Sequence, residues 1–166
     1  MATAPEHFAN VAQVLIRPMS EPDVGAVVVI ELASYRFPWS EGIFRDCLKV
    51  GYVCRIACVE DAVAGYGIVS TGAGEAHILN LCVREDFRCR GIGSQLLEDL
   101  LERAAAAAVD TAYLEVRPSN TAAIRLYKAF EFVHVGLRRG YYQAPEGRED
   151  AAVFKLALGA RRARSG

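Results

Sequence analysis

The sequence predicts a single α/β domain (α+β in its layout) built on a mixed, mostly antiparallel sheet, and three observations support this fold class. The chain has 166 residues, which suits one domain, and no long linker rich in proline, glycine or serine divides it. Hydrophobic residues make up 52% of the chain, which is enough apolar surface for a folded core. Runs rich in β-forming residues alternate with helical patterns, in an order that predicts about seven strands and about four helices.

The N-terminal part is predicted to contain one short strand and two helices. Residues 14–16 are apolar and end before Pro18, which indicates the strand. Ser20 offers a helix N-cap for residues 21–33, and Ser40 opens a second, shorter helical pattern.

Three β-rich runs follow, over residues 52–59, 63–69 and 76–83. Glu60 and Asp61 separate the first two runs as a hairpin turn would, and a glycine-containing turn over residues 71–74 leads into the third. The three runs predict an antiparallel meander.

The clearest helical period begins at Gly91, where apolar residues recur on one face with acidic residues opposite. Residues 111–116 return to a strand, and Ser119 or Asn120 caps a further helix. The two final strands are predicted over residues 132–139 and 151–158. Because a crossover helix joins parallel strands, the helix from Gly91 adds one parallel pair to the sheet.

Charge and cysteine content exclude several classes of function. The net charge of -1 and the pI near 6.3 argue against a broad nucleic-acid or membrane-binding surface. The five cysteines form no Cys-x-x-Cys pair and no histidine lies at metal-ligand spacing, so we expect no metal and a reducing cytoplasm. We expect neither a secretion signal nor a membrane anchor. The predicted layout is a flexible leader (1–12), one domain (13–158) and a basic tail (159–166).

A candidate anion-binding turn covers residues 88–94. It lies between a predicted strand and a helix N-terminus, where unpaired amides and the helix dipole favour an anion. Gly91 and Gly93 let the backbone approach that anion closely. A P-loop would need a lysine that is missing here, and a dinucleotide fingerprint would need glycine in place of Leu96. The turn alone leaves open a helix start without a ligand.

Further motifs lie downstream and upstream of this turn. They are Leu-Glu-Val-Arg-Pro-Ser-Asn over residues 114–120, Ala-Ala-Ile-Arg-Leu-Tyr over 122–127, Phe-Pro-Trp-Ser over 37–40, Asn-Leu-Cys-Val over 80–83, Gly-Tyr-Tyr over 140–142 and Arg-Glu-Asp-Ala over 148–151. With the Arg-x-x-Gly-x-Gly turn, they make residues 14–158 resemble the GCN5-related N-acetyltransferases (GNAT), and within them the RimI type.

The resemblance implies a GNAT-like sheet, acetyl-CoA as co-substrate and no metal. It also implies direct transfer of the acetyl group, in a ternary complex, to the N-terminal α-amino group of a protein. The implied partner is the N-terminal alanine of a small-subunit ribosomal protein, in the cytoplasm. Two alternatives stay open, because a fold does not fix the acceptor: acetylation of lysine side chains or small amines, and a non-catalytic acyl-CoA-binding module.

The resemblance also assigns roles to individual residues. It makes Glu115 the base that accepts the amine proton and Tyr127 the acid that protonates the departing sulfur. From residue type alone, Glu115 would be a solvated carboxylate and Tyr127 a packed helix aromatic. The residues implied to contact the cofactor are Leu81, Cys82, Val83, Cys89, Arg90, Gly91, Ile92, Gly93, Ser94 and Asn120.

Some residues have less specific interpretations. We expect Cys82, His77 and His134 to pack in strands. The aromatic residues in the 37–39 and 141–142 segments either border a peptide groove, as the resemblance implies, or anchor their loops. Glu131 stands where the family usually has glycine, so a left-handed helix end there would cost about 1 kcal/mol, or the chain would turn differently.

Overall fold

The computed structural model describes residues 13–159 and 161, so the predicted leader and most of the predicted tail lie outside the described residues. The strands are β1 (Val14–Pro18), β2 (Val53–Val59), β3 (Ala62–Gly72), β4 (Glu75–Val83), β5 (Thr111–Val116), β6 (Val133–Ala144) and β7 (Gly147–Ala157). The helices are α1 (Val24–Ser34), α2 (Glu41–Val50), α3 (Ile92–Ala106) and α4 (Thr121–Ala129). Element number, type and order agree with the sequence prediction.

The seven strands form one sheet in the order β1-β2-β3-β4-β5-β7-β6. Every neighbouring pair is antiparallel except β4 and β5, which are parallel and are joined through α3. This confirms the predicted mixed, mostly antiparallel sheet with one parallel pair.

Helices cover the two faces of the sheet and bury a core on each. Leu97, Leu100 and Leu101 of α3 pack with Ile78 and Leu114 on one face. On the other face, residues of α1 and α2 pack against β2 and β3: Val24, Val27, Ile30, Phe44, Ile56 and Tyr66. Burying each large aliphatic side chain contributes about 1.5 to 3 kcal/mol, so both faces are needed for stability.

The parallel pairing of β4 and β5 is short. It runs from Glu75 opposite Thr111 to Ile78 opposite Leu114, although both strands continue beyond this point. A register shift opposite Ile68 and Val69 also leaves Leu79 of β4 without a partner on β3, which is a β-bulge. The two strands therefore diverge, and a gap opens between them.

The sequence prediction was wrong about the extent of the last two strands. β6 and β7 are longer than predicted and form a hairpin, in which Tyr142 pairs with Glu149 and Ala144 with Gly147. The residues around this turn are mostly exposed or half-buried. Because neither face of the hairpin end is buried, the sequence there shows no apolar and polar alternation from which strands are recognised.

The predicted helix caps can be compared with the structure. The Ser40 hydroxyl accepts a hydrogen bond from the Ile43 amide at 3.3 Å, and Asn120, rather than Ser119, caps α4 through the Ala123 amide at 3.2 Å. Within the predicted basic tail, the Arg161 guanidinium donates a hydrogen bond to Glu98 of α3 at 2.5 Å.

Glu131 keeps the left-handed turn that glycine usually makes. Its φ is 70°, the Phe132 amide donates to the Tyr127 carbonyl at 3.1 Å, and the Glu131 amide donates to the Lys128 carbonyl at 2.9 Å. These two hydrogen bonds form a Schellman motif at the end of α4. A residue with a Cβ atom therefore occupies a strained conformation there.

We predict that Glu131→Gly raises the free energy of unfolding by about 1 kcal/mol, because glycine adopts a positive φ without steric strain. Urea denaturation followed by circular dichroism measures this difference. The matched control is Glu131→Ala, which removes the carboxylate but keeps the Cβ atom and should leave stability unchanged. An equal gain in both variants would mean that the charge, and not the backbone, causes the strain.

Candidate active site

A cavity of about 440 Å³ lies where β4 and β5 diverge. Its walls come from the loop between α1 and α2, the ends of β4 and β5, the start of α4 and the β6–β7 hairpin. Both candidate catalytic residues, Glu115 and Tyr127, line it, together with Leu81 and Asn120 from the candidate cofactor contacts. The structure thus gathers residues that are far apart in sequence around one space.

Glu115 is nearly buried rather than solvated, with 9% of its side chain exposed. The Arg138 Nε lies 3.4 Å and the His77 Nε2 3.8 Å from its Oε1. A buried carboxylate needs such neighbours, since an isolated buried charge is costly. Neither group makes a hydrogen bond to it, so the Glu115 oxygens stay available to another donor.

His77 packs within β4, as expected, and also lies beside Glu115. It faces Glu115 and stacks on Tyr113 with ring centroids 5.7 Å apart. The sequence carries no signal for this contact, because the two partners come from different strands.

Tyr127 is a packed helix aromatic, buried inside the protein, and it also lines the cavity. Its ring packs edge-on against Phe132, with centroids 5.8 Å apart. Burial raises the pKa of its hydroxyl to about 12. That hydroxyl donates to no residue in the described part of the chain, although the residue lines the cavity. A protonated phenol with an uncommitted O–H can act as an acid towards a ligand.

The candidate anion-binding turn has the backbone geometry of such a site. Cys89 and Gly91 both have positive φ angles, 61° and 77°, and Gly91 caps α3. The first amide of the helix that bonds to a main-chain carbonyl is that of Gln95, which donates to the Gly91 carbonyl at 3.1 Å. Within the described residues, the amides of residues 89–94 donate to nothing. Such a run of unpaired amides at a helix N-terminus fits a pyrophosphate.

Side chains in and beside this turn are directed elsewhere. The Arg88 Nε donates to the Val83 carbonyl at 3.1 Å, and the Arg90 guanidinium lies 5.3 Å from the centre of the Phe87 ring. Ile92 is buried in the core. Because these side chains are engaged or buried, Arg90 and Ile92 can bind a ligand in the turn only through their backbone groups.

The β4 residues also offer backbone groups. Cys82 is buried against α1 and α2, as expected of a small strand residue. The Tyr35 hydroxyl donates to the Leu81 carbonyl at 3.2 Å. Beyond Ile78, the edge of β4 that faces β5 is unpaired, so its outward backbone groups border the gap.

Glu31 is a site residue that the sequence analysis missed. It is 2% exposed and lines the cavity. Its carboxylate accepts hydrogen bonds from the Trp39 amide at 3.1 Å, from the Asn80 side chain at 3.2 Å and from the Tyr66 hydroxyl. These bonds fasten the loop between α1 and α2 to β3 and β4. The sequence held one indication of this role: Glu31 is the only charged residue in the apolar helix α1.

Three of the aromatic loop residues line the cavity. Trp39 packs on Phe44 with ring centroids 5.4 Å apart, which anchors its loop, and it also lines the cavity with Phe37 and Tyr142. Tyr141 is exposed and packs edge-on against Tyr142.

The described residues contain no group of three or more histidine, cysteine, aspartate or glutamate side chains arranged to hold a metal ion. Across the same part of the chain, no helix is long and apolar enough to cross a membrane. All five cysteines are free thiols.

Comparison with known proteins agrees with this architecture. The profile of the acetyltransferase (GNAT) family matches residues 24–132. A [ribosomal protein bS18]-alanine N-acetyltransferase of Salmonella typhimurium is 36% identical over 140 residues, which are 84% of this chain and 95% of the relative.

Solved structures show the same likeness. The crystal structure of an Escherichia coli ribosomal-protein-alanine N-acetyltransferase aligns with a TM-score of 0.82 at 34% identity, over 88% of this chain and 94% of the other. The Arabidopsis thaliana protein NAA60 in complex with acetyl-CoA aligns with a TM-score of 0.78 at 21% identity, over 87% and 98% of the two chains. The second likeness concerns the fold alone.

We predict that Gly91→Ala weakens acetyl-CoA binding about fivefold. An alanine held at a φ of 77° is strained by about 1 kcal/mol, so the free turn relaxes and binding must restore it. Isothermal titration calorimetry with acetyl-CoA measures the change. Gly74→Ala is the control, because Gly74 has a φ of 78° with equal open space but lies at the opposite end of β4. Equal weakening in both variants would remove the turn from the binding site.

Proposed function

Because the chain belongs to the GNAT acetyltransferase family, we propose that it acetylates the N-terminal α-amino group of a protein, with the alanine N-terminus of ribosomal protein bS18 as its acceptor. Its activity class is acetyl-CoA-dependent N-acyl transfer, as in curated relatives that are 34–36% identical over most of the chain. The single observation that supports catalysis is that Glu115 and Tyr127 line the same cavity. The free thiols support a reducing, cytoplasmic location.

Glu115 is assigned the first proton transfer. Acyl transfer needs a neutral amine, and an α-amino group with a pKa of about 7.7 to 8.0 loses its proton far more readily than a lysine at about 10.4. Roughly one α-amino group in ten is neutral at pH 7. The ammonium form loses its first proton to solvent. Glu115 has oxygens without hydrogen bonds and lines the cavity, so it accepts, directly or through water, the proton that the nitrogen loses as the amide bond forms.

Tyr127 is assigned the second proton transfer. Acetyl-CoA supplies an acetyl group bound to sulfur, so that the nitrogen–carbon bond forms as the carbon–sulfur bond breaks. The Tyr127 hydroxyl gives its proton to the leaving thiolate and is re-protonated by solvent. With a pKa of about 12, the hydroxyl stays protonated throughout the neutral range and is ready for each turnover.

The acceptor class is tested with a panel of peptides and acetyl-CoA. We expect peptides with a free N-terminal alanine to be acetylated at the α-amino group, since this amine ionises near neutral pH. Peptides with a blocked N-terminus and an internal lysine should react at least about tenfold more slowly. Mass spectrometry locates the acetyl group. Faster acetylation of the lysine peptides would assign the alternative acceptor, and acetyl-CoA binding without any turnover would identify a binding module.

The acid–base assignment predicts that Glu115→Gln and Tyr127→Phe each lower kcat at pH 7 by about 100-fold or more, because each removes one proton transfer. Acetyl-CoA affinity should stay within about twofold of the wild-type value, since neither group is assigned to the phosphates. Glu75→Gln and Tyr52→Phe are the matched controls, which change the same chemical groups away from the cavity. A wild-type kcat in either test variant would refute the role of that residue.

A further inference from the structure

Arg117 occupies a distinctive position in the cavity wall. It follows the end of β5, two residues beyond Glu115, and both residues line the cavity. Its guanidinium carbon lies 4.4 Å from the centre of the Tyr142 ring and 5.9 Å from that of Phe37. The two rings come from the β6–β7 hairpin side and from the loop after α1, so Arg117 bridges opposite walls.

A hydrogen bond to Glu149 of β7 fixes the orientation of the Arg117 side chain. The Arg117 Nη1 donates to Glu149 Oε2 at 3.0 Å, and the Ser119 hydroxyl donates to Glu149 Oε1 at 2.8 Å. Hydrogen bonds from Ser119 and Arg117 hold the pKa of the Glu149 carboxyl below its usual value. The carboxylate is therefore charged at neutral pH and keeps the guanidinium in one place.

Most of the donors of Arg117 are uncommitted. A guanidinium carries five N–H groups, and within the described residues Nε and Nη2 donate to no acceptor. The side chain is 28% exposed, so these donors are partly withdrawn from water. Donors held in this way gain from an acceptor oxygen that enters the cavity.

The spacing from Glu115 indicates which oxygen this is. Arg117 directly follows β5, and the Cα atoms of residues two apart in an extended chain are separated by about 7 Å. With the acceptor amine at Glu115, the carbonyl oxygens of the first two residues of a peptide lie within about 7 Å of its α-nitrogen. A lysine side chain would span the same two points only with its alkyl chain fully extended, at a cost in rotamer freedom.

We propose that Arg117 determines specificity by donating hydrogen bonds to a backbone carbonyl in the first two residues of the acceptor, so that a chain terminus is preferred to a lysine side chain. The proposal rests on the proposed function, because it presumes an α-amino acceptor at Glu115. The Arg117 contact would recognise the peptide backbone of the acceptor rather than its N-terminal side chain.

The test compares an alanyl peptide with two analogues in which the first or the second peptide bond is replaced by a trans-alkene, which removes the carbonyl oxygen without adding a charge. In the wild-type protein, one analogue should lose about 10- to 100-fold in kcat/KM, the usual effect of a hydrogen bond to a charged donor. In Arg117→Met, which has no donor, that preference for the intact peptide should fall towards one, and Arg117→Lys, which keeps a charged donor, should retain part of it. The analogue that lacks the contacted carbonyl should react nearly as well with the variants as with the wild type.

The control variant is Arg84→Met, since Arg84 also lies over an aromatic ring, Phe87, and pairs with an aspartate, Asp86, but does not line this cavity. It should keep the wild-type preference. Acetyl-CoA affinity is measured in every variant to check that it is folded. If the methionine variant is unstable, Arg117→Lys provides a variant that keeps the charge and most of the bulk.

Two results have different meanings. If the Arg117 variants lose activity equally on the intact peptide and on both analogues, the residue only holds the loops and the proposal is wrong. If the wild-type protein acetylates no alanyl peptide, the proposed function itself fails, and the carbonyl contact fails with it.

Discussion

The parallel pairing between β4 and β5 ends at Ile78 and Leu114, although both strands continue, and the rest of the site depends on this ending. Paired strands lie about 5 Å apart, which leaves no room for a ligand between them. Where the pairing stops, Glu115 at the end of one strand faces a space that α4 closes with Tyr127. The close packing of α3 on the paired residues of β4 and β5 keeps the distance between the two strand ends fixed.

Polar interactions across long sequence distances shape the walls of this space. Glu31 joins the loop after α1 to β3 and β4, while Glu149 holds Arg117 from β7. Each carboxylate accepts several hydrogen bonds, as buried or half-buried charges require. The cavity is therefore bounded by residues with restricted rotamers. This suits a reaction in which an amine and a thioester must be held close together in a fixed orientation.

The sequence was sufficient for the features that local patterns encode. Helical period predicted α3, the residues of β5 were predicted over their full length, and Ser40 was recognised as a cap. It was insufficient where partners meet only in three dimensions, as His77 and Glu115 do. The pairing of Glu115 with Tyr127 as candidate site residues came from the family resemblance. Spacing along the chain could not predict that both line one cavity, because it does not show where two strands diverge.

Leu79 has one more consequence. Ile78 before it and Leu81 after it both face α3, while Asn80 and Cys82 face the other side, so the bulge absorbs one residue from the alternation of β4. A strand without Leu79 would keep every remaining side chain on its present face and be free to stay regular. A single residue therefore makes β4 irregular opposite β3, at the position where its pairing with β5 has just ended.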